Sequence, residues 1–194
     1  ASTIYKKKNG EILTAWFGGS REGADDVGIF LSRKSEGADF QIAEKMAGGK
    51  EPHWNPVLFS TNDQKVFLFY KKGRKIANWR TYIRISQDGG RTFGKERELV
   101  TGDIGGRGPV RNKPIQLQNG RILCPASVEG KEWKGFVDIS ENNGESFVRS
   151  NWIEIAGMRN LLSQAKNMES GKNKNSDIPV SDQSFYGRGV IQPT

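Results

Sequence analysis

Three short runs, "VGIFLS", "TYIRIS" and "GFVDIS", end on Ser32, Ser86 and Ser140, so the chain returns to one pattern at an interval of 54 residues. Apolar residues keep that interval: Ile29, Ile83 and Val137 form one column, and Leu31, Ile85 and Ile139 form the next. An apolar residue at every second position marks a strand with one buried face. Upstream lie "EILTAWF" at 11–17, "KVFLFYK" at 65–71 and "RILCPAS" at 121–127, and ahead of the last two stand "NPVLFS" and "KPIQLQ". The intervening turns "KNG", "TNDQ" and "QNG" carry Asn and Gly, which tolerate positive φ and close tight hairpins. Four-stranded antiparallel units repeated at about 50 residues describe propeller blades. The expected architecture is an all-β propeller with blades over 1–50, 51–106 and 107–156, an insertion over 157–186 and the start of a fourth blade at 187–194.

After the second serine comes "SQDGGRTF", residues 86–93. In this S-x-D-x-G-x-T-aromatic pattern, Ser86 and Asp88 are placed to bond nearby backbone amides, Gly90 to adopt a φ that other residues resist, and Phe93 to pack between sheets. "SENNGESF" at 140–147 is a copy with Asn142 in the Asp position, and "SRKSEGADF" at 32–40 is a longer, weaker one. A single Asp without companion carboxylates falls short of a calcium cage, so the turn reads as structural. The pattern resembles the Asp-box of the bacterial neuraminidase repeat found in sialidases and their relatives. That resemblance implies a six-bladed β-propeller of the sialidase type, of which this chain covers about three blades and the start of a fourth. Six blades of this length need about 320 residues, and an open arc leaves strand edges that soluble proteins avoid. The remaining blades, or a second copy of the chain, are therefore expected to close the ring.

Strand parity sorts the loops. In a four-stranded meander the first-to-second and third-to-fourth turns share one face, and the second-to-third turns and blade links share the other. "GGSREGADD" at 18–26, "KKGRKIANW" at 71–79 and "EGKEWKG" at 129–135, with the links "KEPHWN", "RGPVRNK" and "FYGRG", thus gather opposite the serine-aspartate turns. Sialidases similarly carry an arginine after the first blade's second strand and an aspartate five residues on, which matches Arg21 and Asp26. By this resemblance Asp26 is the acid/base carboxyl and Arg21 a substrate contact, with Asp25 competing for the same role. Glycosidic cleavage needs a proton donor at the leaving oxygen, and a guanidinium offers a fixed fork for a carboxylate. His53 and Trp54 are expected in the pocket wall, and Arg111 and Lys113 at an equivalent link are placed to meet an anionic sugar. With one histidine and no Cys cluster, neither a metal nor another cofactor is expected.

The resemblance implies an exo-glycoside hydrolase that releases a terminal acidic sugar from glycans. It departs from the family in its first strand, "ASTIYKKKN", which lacks the expected arginine, and the tyrosine nucleophile, its glutamate and further arginines belong to later blades. Two rivals keep the propeller: a hydrolase or lyase acting through His53, and a carbohydrate-binding propeller stacking sugars on Trp54, Trp79 and Trp133. The excess of 30 Lys and Arg over 22 Asp and Glu gives +8, which favours an anionic partner. The basic residues are scattered among loops with no recognition helix, so nucleic acid is not the expected one. No stretch approaches the ~18–20 apolar residues of a membrane span, and the N-terminus has no signal-peptide core. Cys124 alone makes no internal disulfide. Relatives act on extracellular glycans, which implies a secreted or periplasmic protein.

Overall fold

The computed structural model describes residues 1–104, 106–128 and 133–154; the expected insertion and fourth-blade opening lie outside the described residues. The strands are β1 (Ser2–Lys6), β2 (Ile12–Gly18), β3 (Gly28–Lys34), β4 (Glu44–Ala47), β5 (His53–Ser60), β6 (Val66–Lys72), β7 (Arg80–Ser86), β8 (Arg97–Glu98), β9 (Ile115–Gln116), β10 (Ile122–Val128), β11 (Lys134–Ser140) and β12 (Val148–Arg149). Among the described residues they form three four-stranded sheets, β1-β2-β3-β4, β5-β6-β7-β8 and β9-β10-β11-β12. Every pairing is antiparallel, so each sheet is a simple meander.

Alternation along the strands divides the apolar residues between two cores. Leu13, Ala15, Ile29 and Leu31 of the first sheet meet Leu58, Val66, Leu68 and Tyr70 of the second. The intervening residues of the second sheet, Phe67 and Phe69, face the other way and join Ile122, Cys124 and Phe147 of the third. Because the second sheet is covered on both faces, residues 66–70 of β6 are an unbroken apolar run. Among the described residues the first and third sheets are covered on one face only. Their other faces hold Trp16 and Phe30, and Leu123, Val137 and Ile139, all half-buried. Burying each such side chain fully is worth about 1.5–3 kcal/mol, so these faces are where further sheets are expected to pack.

The turn at 86–93 folds as its pattern predicts. Ser86 Oγ donates to Asp88 Oδ1 at 2.7 Å and accepts the Gly90 N–H at 2.7 Å. Asp88 in turn accepts the N–H groups of Arg91 and Thr92 at 3.0 and 2.9 Å and the Thr92 hydroxyl at 2.6 Å. These bonds hold the exposed Asp88 carboxyl well below the usual carboxylate range, the Thr92 hydroxyl contributing most. In the third sheet Asn142 does the same work, accepting the Ser146 N–H at 2.9 Å. Each turn also clasps the sheet before it. Arg33 Nε donates to the Gly90 carbonyl at 2.8 Å, and the Arg97 guanidinium donates to the Gly144 carbonyl at 2.6 Å.

Phe93 packs against the first core and Phe147 is buried in the second. Phe40 departs from the expected pattern: it is 50% exposed, with Lys34 Nζ 5.7 Å above its ring. The first turn is one residue longer and lacks the aspartate that gathers the amides, so nothing steers its phenylalanine inward.

Contacts between loops of successive sheets follow strand parity. Asn143 of the third sheet's turn donates to Asp63 in the second sheet's first hairpin at 2.9 Å, on one face. On the other, Arg74 in the β6–β7 loop holds Asp25 in the β2–β3 loop.

Candidate functional site

Loop 19–27 rises from the link face between the paired Gly18 and Gly28. Its turn is closed by Ala24 N–H to Arg21 O and Val27 N–H to Ala24 O, both 3.1 Å. Arg21, Glu22, Asp25 and Asp26 are exposed, but the two aspartates are engaged. Arg74 forks onto both Asp25 oxygens, at 2.8 Å to Oδ2, and also reaches the Lys50 carbonyl at 3.1 Å. That bond holds the Asp25 carboxyl below its ordinary range. Asp26 accepts the Ser20 N–H at 2.8 Å and the Ser20 hydroxyl at 2.9 Å, one on each oxygen. These bonds, with Lys45 on β4 beyond them, hold Asp26 ionised, its pKa lowered. Asp26, the acid/base carboxyl that the resemblance implies, thus accepts one Ser20 bond on each oxygen, and Asp25 ties the same loop to the second sheet.

His53 is placed at the first position of β5 but is only 1% exposed. Its Nδ1 lies 2.9 Å from the Glu51 carbonyl, its ring sits 5.9 Å from that of Tyr70, and Nε2 is buried without a partner among the described residues. Burial, and then Lys72, pushes its pKa below the ordinary value. It is enclosed between the first and second sheets and does not line an open pocket. Trp54 stacks on Trp79 at 5.6 Å and meets Phe17 at 5.6 Å, and both indole N–H groups donate to the Gly73 carbonyl, at 2.8 and 3.0 Å. The two rings and their polar edges are thus committed to one another. Trp133 is apart from them and 67% exposed.

Arg111 and Lys113 precede β9, the first strand of the third sheet. Lys113 Nζ reaches across to the carbonyl of Ile4 on β1, the first strand of the first sheet, and burial lowers its pKa. Burial lowers the pKa of the Ala1 amino group most, while Glu22 raises it and Arg111, two residues before Lys113, lowers it. Asp25 and Asp26 sit on the side towards β4 and the β6–β7 loop. Among the described residues neither Arg21 nor Arg111 has a carboxylate within ion-pair distance.

Sequence reasoning missed a buried charge network between the second and third sheets. Asp138, fully buried on β11, accepts Arg107 Nε at 2.8 Å and the Gly108 N–H at 2.6 Å. Arg107 also holds Asp103 at 2.5 Å. Lys71, 1% exposed, donates to Thr81 Oγ1 at 2.8 Å and to the Arg107 carbonyl. A signal was present: Asp138 shares the inward phase of Phe136 and Ser140, which is unusual for a carboxylate.

Burial pulls the Lys71 pKa down to about 7, against partial support from Asp138. In the unfolded chain the amine keeps its proton to about pH 10.4. Above pH 7 the unfolded state thus binds the extra proton and stability rises with pH. Cys124, whose thiol burial pushes up, opposes this only above about pH 8.5, where the unfolded thiol ionises. Urea unfolding of wild type and Lys71→Met at steps from pH 7 to 8.5 is expected to show wild type gaining relative to the variant, by up to about 1.4 kcal/mol per pH unit. Parallel pH profiles would rule the depressed amine out.

The model of the BNR repeat-like domain family matches residues 10–176. Among solved structures, a protein of unknown function from Dyadobacter fermentans aligns with TM-score 0.63 at 16% identity, over 79% of this chain and 54% of that one. The Hadza microbial sialidase Hz136 aligns with TM-score 0.63 at 11% identity, over 79% and 37%. The α-L-arabinofuranosidase Arb93A from Fusarium graminearum aligns with TM-score 0.59 at 13% identity, over 80% and 50%. No curated protein sequence matches. The chain spans about half the length of these structures or less. At such identities the likeness establishes the fold, one shared by glycoside hydrolases.

Proposed function

We propose that this chain, which belongs to the BNR repeat-like domain family, forms three blades of a six-bladed, sialidase-like exo-glycoside hydrolase that releases a terminal acidic sugar from glycans. The observation that supports this reading is Lys113 of the third sheet reaching the Ile4 carbonyl of the first, with Arg111 two residues before it and Arg21 in the β2–β3 loop, on the link face by strand parity. Two of these cations, Arg21 and Arg111, lack a carboxylate partner among the described residues. Guanidiniums left unpaired at one rim focus a positive field on an incoming anion and offer it a bidentate fork. Further blades, or a second copy, cover the open apolar faces and bring the nucleophile. A glycan substrate of this kind accords with a secreted or periplasmic protein.

The full-length protein containing these blades is the one to assay, on fluorogenic glycosides of sialic acid, a uronic acid and arabinofuranose. Turnover of an acidic glycoside is expected. Arg111→Met should raise KM for it about tenfold or more, the scale of one lost charged hydrogen bond of about 1.5–3 kcal/mol. Turnover of the neutral arabinofuranoside alone, or an unchanged KM in Arg111→Met, would reject the acidic-sugar reading.

A further inference from the structure

We propose that the groove between the first and second sheets on the serine-aspartate face is a second, non-catalytic site that binds an acidic glycan. It lies opposite the link face and stands or falls apart from the hydrolase reading above.

The groove has a volume of about 420 Å3 and is walled by the first hairpins of both sheets and the serine-aspartate turn at 86–93. That volume lies within the range of about 300–1,000 Å3 typical of ligand sites. Its charges divide into those already engaged and those left over. Lys7 Nζ is held by Glu11 at 2.5 Å. Asp88 is occupied by the amides and the hydroxyl of its own turn. The Lys8 ammonium, the Arg91 guanidinium and the side-chain amides of Asn62 and Gln64 are exposed and have no hydrogen-bond or ion-pair partner among the described residues. Unengaged cations and amides therefore converge on one groove from three turns. This set suits a sugar that carries an acid group: the cations meet the anion, and the amides donate to and accept from ring hydroxyls. The aromatic residue at the groove, Tyr5, packs against the first core, so a nucleic-acid base finds no stacking platform there.

The repeat supplies its own control. The backbone bonds that close the first hairpins run from Lys7 N–H to Glu11 O, from Thr61 N–H to Lys65 O and from Leu117 N–H to Arg121 O, which makes Asn9 and Asp63 equivalent. In the next groove, between the second and third sheets, Asn143 donates to Asp63 at 2.9 Å and the Asn62 N–H donates to Gln116 Oε1 at 2.7 Å, so side chains bridge it. The charged residues that line it, Asp63 and Glu141, are both acidic. One repeat before Asn143 stands Gly89, and both adopt the left-handed backbone, with φ of 55° and +71°. Glycine has no side chain to span the groove, and Asn9 stands where Asp63 would receive it. The first groove is thus unbridged and keeps free cations, where the second is bridged and acidic.

The test titrates the full-length protein carrying Arg111→Met, which suppresses binding at the link-face rim, by calorimetry. The probes are an oligogalacturonate, a sulfated chondroitin oligosaccharide, a neutral maltooligosaccharide and a single-stranded oligonucleotide. An acidic oligosaccharide is expected to bind at least about tenfold more tightly than the neutral one, and Lys8→Gln and Arg91→Gln each to weaken it about tenfold, the scale of one lost charged hydrogen bond. Gly89→Asn suits the left-handed backbone and its Cβ would meet only Lys7, at an ordinary 3.6 Å. It should rebuild the bridge and weaken binding to the same degree, with an unchanged thermal melt. Lys8→Gln, at an exposed hairpin position, reads the groove even where Gly89→Asn fails to fold. Failure to bind either acidic probe, equal affinity for the neutral one, binding of the oligonucleotide alone, or affinity that survives both Lys8→Gln and Arg91→Gln overturns the proposal. A protein that binds through this groove yet hydrolyses no acidic glycoside supports the site and rejects only the hydrolase reading.

Discussion

Asp138→Ala is expected to destabilise the fold by about 3–5 kcal/mol, the cost of leaving a buried charge without its partner. Arg107 is only 7% exposed and meets Asp138 at 2.8 Å through Nε. Without that carboxylate the guanidinium keeps Asp103, which is partly exposed, and the Phe147 carbonyl at 3.4 Å. The Gly108 N–H loses its acceptor as well, and Lys71 loses the carboxylate that favours its charged form. Removing both ions is expected to be milder than removing one, so Arg107→Met/Asp138→Leu should unfold at higher urea than Asp138→Ala. A loss below about 1 kcal/mol in the single variant would show that the network contributes little to stability.

Gly144→Ala should cost about 2–5 kcal/mol, combining left-handed backbone strain with overpacking. Gly144 has φ +89°, and a Cβ there would run into Phe67, coming within 2.6 Å of Cζ. The Phe67 ring is fully buried and stacks 6.0 Å from Phe69, so it has nowhere to retreat. Gly120 provides the control: its φ is +85°, yet a Cβ would meet nothing within 4 Å. Gly120→Ala should therefore show the backbone cost alone, about 1–2 kcal/mol. Equal losses in thermal or urea unfolding would mean that the turn does not press on the preceding sheet.

The repeat made much of the fold legible. Residues that recur at every second place and again after 54 can satisfy only a set of equivalent sheets, and the hairpin glycines mark their ends. The serine-aspartate turn was legible because its bonds are local, spanning four residues from Ser86 to Gly90. Phe40 was not, because its turn has neither the Asp88 nor the Asn142 side chain that gathers the amides ahead of Phe93 and Phe147. The candidate site was half legible. Parity placed loop 19–27 and the links on one face, but spacing alone could not say which carboxylate stays free. That depends on Arg74, which comes from another sheet, and on a serine within the loop. The Lys71, Arg107 and Asp138 network escaped for a related reason: each partner comes from a different segment, and only the packing of sheet on sheet brings them together.

The proposed activity requires the link face to be the working face. A crystal structure of the full-length protein with its acidic sugar bound tests this most directly. The sugar's carboxylate should lie on Arg111, opposite the turns at 86–93 and 140–147. A sugar seated only between those turns and the first hairpins would contradict it.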